Sequence, residues 1–470
     1  MFSWLANAWR VPELRRRVLF TALILGIYRL GSWLPAPGVD SEAIDNYFSG
    51  RGGTILGLLN LFSGGALSQF SIFALGIMPY ITASIILQLM TVVIPKLAEL
   101  QKEGEAGYAK INQYTRYLTV VLALFQTFIV ARWLQANAVG DDTWGFIVTT
   151  MITLTTGTIF VMWLGEQITE RGVGNGISLL IFAGIVIGLP NGVQQVFGRV
   201  RGGDTMEIVG VFFMLVAMVA VIAFIVFVEA ARRKIPVSYA KRHVGRQVVG
   251  GQQTTMPLKI NMGGVIPVIF ASSVLSMPQS VFAAIPPDPN NPNSWWATIW
   301  GFLQLFYPGD PYYELIFLSL IIFFTFFYVS IVFNVEEVAD NLRKHGGFMP
   351  GIRPGRATAE YLNTILTRLT TVGAIYLALV AFVPQFMLSG FRVARLPLIG
   401  PSLDAWVSTT PGLTWIPTGL GYSFYFGGTS LLILVGVAMD TVAQIEAQLV
   451  MRNYEGFLGP GGGRLRGRRA

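Results

Sequence analysis

The chain has 470 residues, of which 53% are hydrophobic and 12% charged, and it carries a formal net charge of +8. A soluble domain has about twice that charged fraction, so a water-soluble enzyme is excluded in favour of a polytopic membrane protein. Cysteine is absent, which excludes disulfides and thiolate metal centres, and the two histidines, His243 and His345, fall in basic loops rather than in apolar runs.

The first apolar run, residues 18–34, follows Arg10, Arg15, Arg16 and Arg17. It imitates a signal peptide but exceeds a typical h-region and nine more runs follow, so it reads as a retained first span. Residues 52–95, 44 in number, carry no charge, and as one helix they would be roughly twice as long as a bilayer core is thick. The stretch breaks at Asn60-Leu61-Phe62-Ser63-Gly64-Gly65 and resumes over 70–94 with Pro79 inside, so its outer part must turn back or lie within the protein. Non-helical backbone at membrane depth survives only where protein or a water-filled cavity satisfies it. The chain is therefore expected to surround a cavity, with part of itself in or over it.

Further runs of spanning length cover 115–134, 144–164, 207–228, 263–284, 313–333, 362–383 and 422–442. The run 177–189 is short and is expected to be closed by Pro190; it is counted as a crossing because the charge balance requires it. With ten spans and a cytoplasmic N-terminus, 26 Lys and Arg fall on the cytoplasmic side and 5 outside, with Arg29 and Arg132 near outer span ends. Both termini are then cytoplasmic. Five spans lie in residues 1–200 and five in 201–470, an odd number per half, which permits inverted halves as in many transporters.

Gly172-Val-Gly174-Asn-Gly176 resembles a nucleotide loop, but it joins two apolar runs and follows no strand, so it reads as a tight cytoplasmic turn. The neighbouring Glu166 and Glu170 are expected at a helix end, within reach of headgroups or a partner. Three segments, 96–114, 230–261 and 336–361, are long enough to project into the cytosol. In the second, 235–239 looks like a strand that turns back at Gly245 or at Gly250-Gly251. In the third, Pro350, Gly351, Pro354 and Gly355 forbid a continuous helix and hold Arg353 on a rigid tip. Topology alone accounts for basic loops, whereas their length points to docks for ribosomal RNA or an acidic partner. Outer segments 285–311 and 385–421 read as interfacial loops, and the Gly-rich and Arg-rich tail 459–470 as disordered.

Ionisable residues within the runs are few and terminal: Asp440, Glu446, Glu229 and Arg29. The midplane is instead expected to hold Ile, Thr, Gly and Met, which suits a hydrophobic constriction better than a proton or sodium pathway. No Ser, His and Asp constellation or H-E-x-x-H pair supports intramembrane hydrolysis. An ion-coupled secondary transporter remains the rival from another class.

The run from Asn60 to Ser84 (NLFSGGALSQFSIFALGIMPYITAS) resembles the second helix of the SecY family, the channel-forming subunits of the Sec protein translocon. Residues 165–178 (GEQITERGVGNGIS), 351–355 (GIRPG) and 425–433 (YFGGTSLLI) resemble its turn into span five, its penultimate cytoplasmic loop and its tenth span. The resemblance covers about residues 15–455. It implies an all-α polytopic membrane protein of ten transmembrane helices in two pseudo-symmetric halves of five, with a re-entrant plug helix. Such a protein passes unfolded polypeptides across the bacterial cytoplasmic membrane and releases apolar segments sideways into lipid; it is not an enzyme.

By position, the resemblance puts a hydrophobic pore ring at Ile77, Ile81, Ile177, Ile181, Ile269 and Ile433. It puts the plug at about 59–70, including Leu61, Phe62, Ser63, Gly64, Gly65, Ala66 and Leu67, and a lateral gate between spans two and three and spans seven and eight, lined by Thr82 and Met277. Met277 departs from the aromatic of some relatives. Arg353, with Arg232, Arg233, Lys234, Lys241, Arg242 and Arg246, would dock the SecA motor or the ribosome. Small SecE-like and SecG-like membrane subunits, unfolded preproteins and lipid are the other implied partners, with no DNA and no cofactor; no nucleotide site is present, so energy must come from a partner.

Overall fold

The computed structural model describes residues 11–39, 63–67, 69–137, 144–201, 205–239, 242–244, 247–249, 253–284, 294–303, 310–390, 400–410 and 428–458. Its first helices are α1 (Pro12–Gly31), α2 (Met78–Val93), α3 (Pro95–Lys102), α4 (Glu105–Asn137), α5 (Trp144–Arg171), α6 (Gly176–Arg201) and α7 (Thr205–Ala230). Four strands follow, β1 (Arg232–Tyr239), β2 (Arg242–Val244), β3 (Gln247–Val249) and β4 (Gln253–Lys259). The chain continues as α8 (Ile266–Ala284), α9 (Trp295–Leu303), α10 (Pro311–Val332), α11 (Val335–Lys344), β5 (Gly347–Phe348), α12 (Arg356–Ser389), α13 (Gly400–Thr409) and α14 (Gly428–Leu458).

Each of the ten apolar runs overlaps a helix. Among the described residues, six helices are long and apolar enough to cross a membrane, or seven if α2 and α3 are taken as one span bent by 99°. That bend has a local cause. Ile94 is extended at φ −99° and ψ 112° and Pro95 opens α3, as expected where proline removes an amide and pushes the preceding residue out of the helical region.

Three expectations are corrected. Pro190 does not close α6, which runs on to Arg201; packing against α5, α7 and α14 supplies a bundle in which a helix tolerates one lost backbone bond. The expected re-entrant helix is not helical over its described part: 63–67 and 69–77 are turns and a bridge, because Gly64, Gly65, Phe70 and Gly76 have positive φ, which a right-handed helix cannot contain. The class is not purely α either. Strands β4, β1 and β5 form an antiparallel sheet in that order, and β2 and β3 a hairpin. The strand sensed at 235–239 begins at Arg232, and the expected turn residues 245 and 250–251 lie outside the described residues.

Within the sheet, Ile235 and Val237 face inward while Lys234 and Pro236 are exposed, the period of two of a half-buried strand. Strand β5 pairs only with Ser238 and Tyr239, so Pro236 lies beyond its reach and costs no ladder bond on that side. Ile235, Leu258, Met349, Leu362 and Ile365 make a small core that fastens the sheet to α12.

The helices pack as two groups. In the first, α5 contacts α1, α4 and α6, and α4 contacts α2; in the second, α14 contacts α7 and α12, and α10 contacts α12 and α8. The groups meet along two seams, α8 against α2 and α4, and α6 against α14 and α7. One continuous buried cluster runs through both, from Ile24, Ile81 and Ile181 to Val268, Ile321, Leu377 and Leu432. The outward faces keep Leu23, Val121, Ile152, Phe213, Phe227 and Leu315 exposed, apolar surface that suits hydrocarbon rather than water.

Many hydroxyls inside the bundle are spent locally, although those of Thr150, Thr370, Tyr376 and Ser430 are buried without a partner. Thr119, Thr158 and Thr325 donate to carbonyls four residues back at 2.6–3.0 Å, and Thr127 meets Thr155 across α4 and α5 at 3.2 Å. Backbone polarity is likewise satisfied in the irregular segment before α2. The Ala36 amide donates to Phe70 O and the Ile72 amide to Leu34 O, both at 2.9 Å, and the Ser71 amide donates to Ala66 O at 2.9 Å. The chain therefore does turn back on itself, as the uncharged stretch required.

Candidate functional site

The six isoleucines singled out by position come from both helix groups: Ile77 caps α2 and Ile81 lies within it, Ile177 and Ile181 are on α6, Ile269 is on α8 and Ile433 on α14. Five are buried members of the central cluster and Ile177 packs against it. A Cβ at Gly165 of α5 would stand at ordinary contact distance, 3.6 Å, from both Ile77 Cδ1 and Ile177 Cγ1 and 3.3 Å from Leu180 Cδ1, so two candidate ring members from different elements meet over this one position. Gly176 is tighter still, since a Cβ there would fall within 1.9 Å of Gly165 O.

Ile81, Ile177, Ile181 and Ile269 line a cavity of about 290 Å³ together with Ile266 and Phe270. Ile77 and Ile433 are outside its lining. Sequence reasoning missed the other wall of the cavity, which is polar: Tyr80, Ser84, Gln88, Asn112, Asn175, Ser178 and Tyr328. Asn175, inside the glycine motif, was the available signal.

That motif is a turn, as read, and a tied one. Asn175 Oδ1 accepts the amides of Ile177 and Ser178 at 3.1 and 3.3 Å, capping α6. Thr21 of α1 accepts the Val173 amide at 3.0 Å and Gln444 of α14 accepts the Gly174 amide at 3.1 Å. Glu166 is paired with Arg116 at 2.8 Å rather than left for a headgroup.

Of the expected plug, Leu61 and Phe62 lie outside the described residues. Ser63, Gly64, Ala66 and Leu67 are buried. The turn is held by α1, where the Tyr28 hydroxyl donates to Ser63 O at 3.3 Å and the Arg29 guanidinium to Gly64 O at 3.4 Å. Gly64, at φ +68°, has room for no side chain because a Cβ would be 2.9 Å from Gly184 Cα of α6. Gly184 is three residues past Ile181, about 4.5 Å along the axis, so the turn abuts α6 next to a ring residue. Leu67 and Phe70 pack with Trp133, Leu134 and Leu154.

Thr82 is buried and its hydroxyl donates to Met78 O at 3.0 Å. Met277 lies on α8, the helix that forms one seam; its side chain is outside the described set. Lys241 and Arg246 lie outside the described residues, and Arg242 opens β2. The sheet brings the remaining basic residues to one end of the bundle: Arg232, Arg233 and Lys234 are exposed on β1, and β5 leads to the tip that carries exposed Arg353. The tip is braced, since the Thr358 hydroxyl donates to Arg353 O at 2.9 Å, and Arg353 makes no ion pair among the described residues. Also among the described residues, no group of three or more His, Cys, Asp or Glu side chains is placed to hold a metal ion.

A family model described as SecY matches residues 71–442. The protein translocase subunit SecY of Escherichia coli K12 is 47% identical over 95% of this chain and 94% of its own length. Among solved structures, a protein conducting channel superimposes with a TM-score of 0.61 at 17% identity, covering 96% of this chain and 98% of the other. Sec61 in the canine ribosome-channel complex from the endoplasmic reticulum gives 0.57 at 16% identity, with coverage of 96% and 98%.

Proposed function

The chain belongs to the SecY family, and from that premise we propose that it is the protein-conducting subunit of a translocase in the bacterial cytoplasmic membrane, passing unfolded polypeptide through the isoleucine constriction and releasing apolar segments sideways into lipid. The observation that carries this reading is the meeting of six isoleucines from four helices of both groups in or against one buried cluster, four of them lining a small cavity. Branched alkyl side chains make a yielding, poorly wetted gasket that offers a passing chain no lasting bond. The 63–67 turn, docked beside Ile181, is the plug, and the α2, α4 and α8 seam with α10 is the lateral gate. Both termini are cytoplasmic and the ten helices form two halves, 1–200 and 201–470. An ion-coupled transporter is not supported, since the relatives are protein translocase subunits and the fold neighbours are protein-conducting channels.

The test uses the absence of cysteine. A single cysteine at Ile81, in channel reconstituted with its small subunits, is expected to form a disulfide with a cysteine on a preprotein stalled in transit, and only when the targeting signal is intact. No crosslink there, alongside a positive control on the basic sheet, means substrate docks without passing the isoleucines.

The sheet and the 351–355 tip are the platform for the driving partner, a SecA-type motor or the ribosome, while SecE-like and SecG-like subunits complete the membrane assembly. Arg353→Glu reverses a charge on a braced tip and is expected to slow motor-driven transport on the order of tenfold, with assembly unchanged by co-purification. Undiminished transport removes Arg353 from the dock.

A further inference from the structure

Between the end of β4 and the start of α8 the chain has six residues, 260–265, and they are gripped from several sides. Just before them, Lys259 Nζ meets Asp440 Oδ1 of α14 at 2.8 Å. The Ile260 amide donates to Ala231 O at 3.2 Å. Asn261 is 1% exposed, and its Nδ2 donates to Glu229 Oε1 of α7 at 2.6 Å and to Gly264 O at 3.1 Å. Two glycines let neighbouring helices close on the linker: a Cβ at Gly373 of α12 would be 3.2 Å from Ile260 O, and one at Gly436 of α14 would be 3.1 Å from Val265 Cγ2. The helix that follows presents Ile266, Ile269 and Phe270 to the cavity.

A linker held this way transmits displacement instead of absorbing it. We infer that Asn261 is a positioning residue for the constriction: bound to Glu229 it sets the height and rotation of α8, so that Ile269 closes the cavity and a shift of the basic sheet moves Ile269. The inference rests on the reading of the isoleucines as the channel seal. Asn261 serves this better than an apolar residue of its size would, because its amide ties α7, through Glu229, to the carbonyl of Gly264 just before α8. It does so while its own Oδ1 is buried without a partner, so the side chain is directed by Glu229 and Gly264 and not by general satisfaction of its polar atoms.

The experiment measures resting ion conductance in planar bilayers for the full chain with its small subunits. Asn261→Asp sets a carboxylate against Glu229 and removes the donor; conductance is expected to rise about tenfold, the effect of losing a buried hydrogen bond to an acidic group. Combining Asn261→Asp with Glu229→Gln restores a donor and acceptor in reversed order, and conductance should return to within about threefold of the parent. A merely structural role predicts that the leak tracks a loss of thermal stability of the assembled complex, whereas the positioning role predicts a leak in channel that melts as the parent does. Unchanged conductance in assembled Asn261→Asp channel, or a leak that the reversed pair does not repair, overturns the inference. If Asn261→Asp does not assemble, Glu229→Ala reads the same pair from α7, and a tight channel there overturns it equally. Ile269→Asn separates the two levels: if it leaks and Asn261→Asp does not, only the positioning role falls; if Ile269→Asn itself stays tight, the seal reading falls and takes this inference with it.

Discussion

Ile81→Asn is expected to raise the resting ion conductance of the reconstituted channel about thirtyfold. Ile81 is 4% exposed and lines the small cavity with Ile177, Ile181 and Ile269, whose alkyl side chains offer an amide no partner. Burying an amide without a full set of partners costs about 2 kcal/mol, which is about thirtyfold in the balance between sealed and wetted arrangements. The polar wall with Ser84, Gln88 and Asn112 supplies water to whatever opens. The contrast is Ile433→Asn. Ile433 is fully buried and outside the cavity lining, so the same change there should lower assembly and thermal stability in detergent more than it raises conductance. Equal leaks from both positions would mean that the cavity is not where the seal lies.

Gly157→Ala is expected to cost more stability than any change of similar size at an outward-facing glycine. Gly157 is in α5, and a Cβ there would stand 2.1 Å from Ile72 O and 2.9 Å from the carbonyl carbon. These are backbone atoms of the irregular segment before α2, which is tied in turn to residues 34 and 36, so no rotamer change relieves the clash. Forcing extra volume into a packed interior costs about 1–3 kcal/mol or more. The control is Gly26→Ala on α1, where an added Cβ meets nothing within 4 Å and the helix gains about 1 kcal/mol of propensity. Melting of the detergent-solubilised complex should fall for the first and hold or rise for the second. A Gly157→Ala protein as stable as its parent would show that α5 does not rest on that segment.

That apolar runs fold as helices could be read from the chain because hydropathy is a one-dimensional property: a run of apolar side chains long enough for a bilayer core has few other stable fates. The 26 to 5 division of Lys and Arg that ten spans would give is equally local. So was the return of the chain before α2, where residues 70 and 72 pair back with 36 and 34, since an uncharged stretch too long for one helix and broken by Ser63, Gly64 and Gly65 has to turn. The ends of elements were less legible. Pro190 reads as a stop, yet α6 passes through it, because neighbouring helices rather than the proline itself decide whether the lost bond is tolerated.

The candidate ring was legible only through family resemblance. An isoleucine in an apolar run carries no mark of facing a cavity rather than a neighbour, and Ile433, buried off the cavity lining, is indistinguishable in sequence from Ile81. What tertiary structure alone decided is who touches whom across long separations: Gly165 under Ile77 and Ile177, Gly184 against Gly64, and Asn261 against Glu229. It also joined two basic loops, since β1 pairs with both β4 and β5. Composition determined that this chain has many segments apolar enough to cross a membrane, because that choice is made between each segment and its solvent. The isoleucine cluster, the docked turn and the gripped linker are contacts between segments, made through close packing, glycine and single hydrogen bonds, and no segment records them by itself.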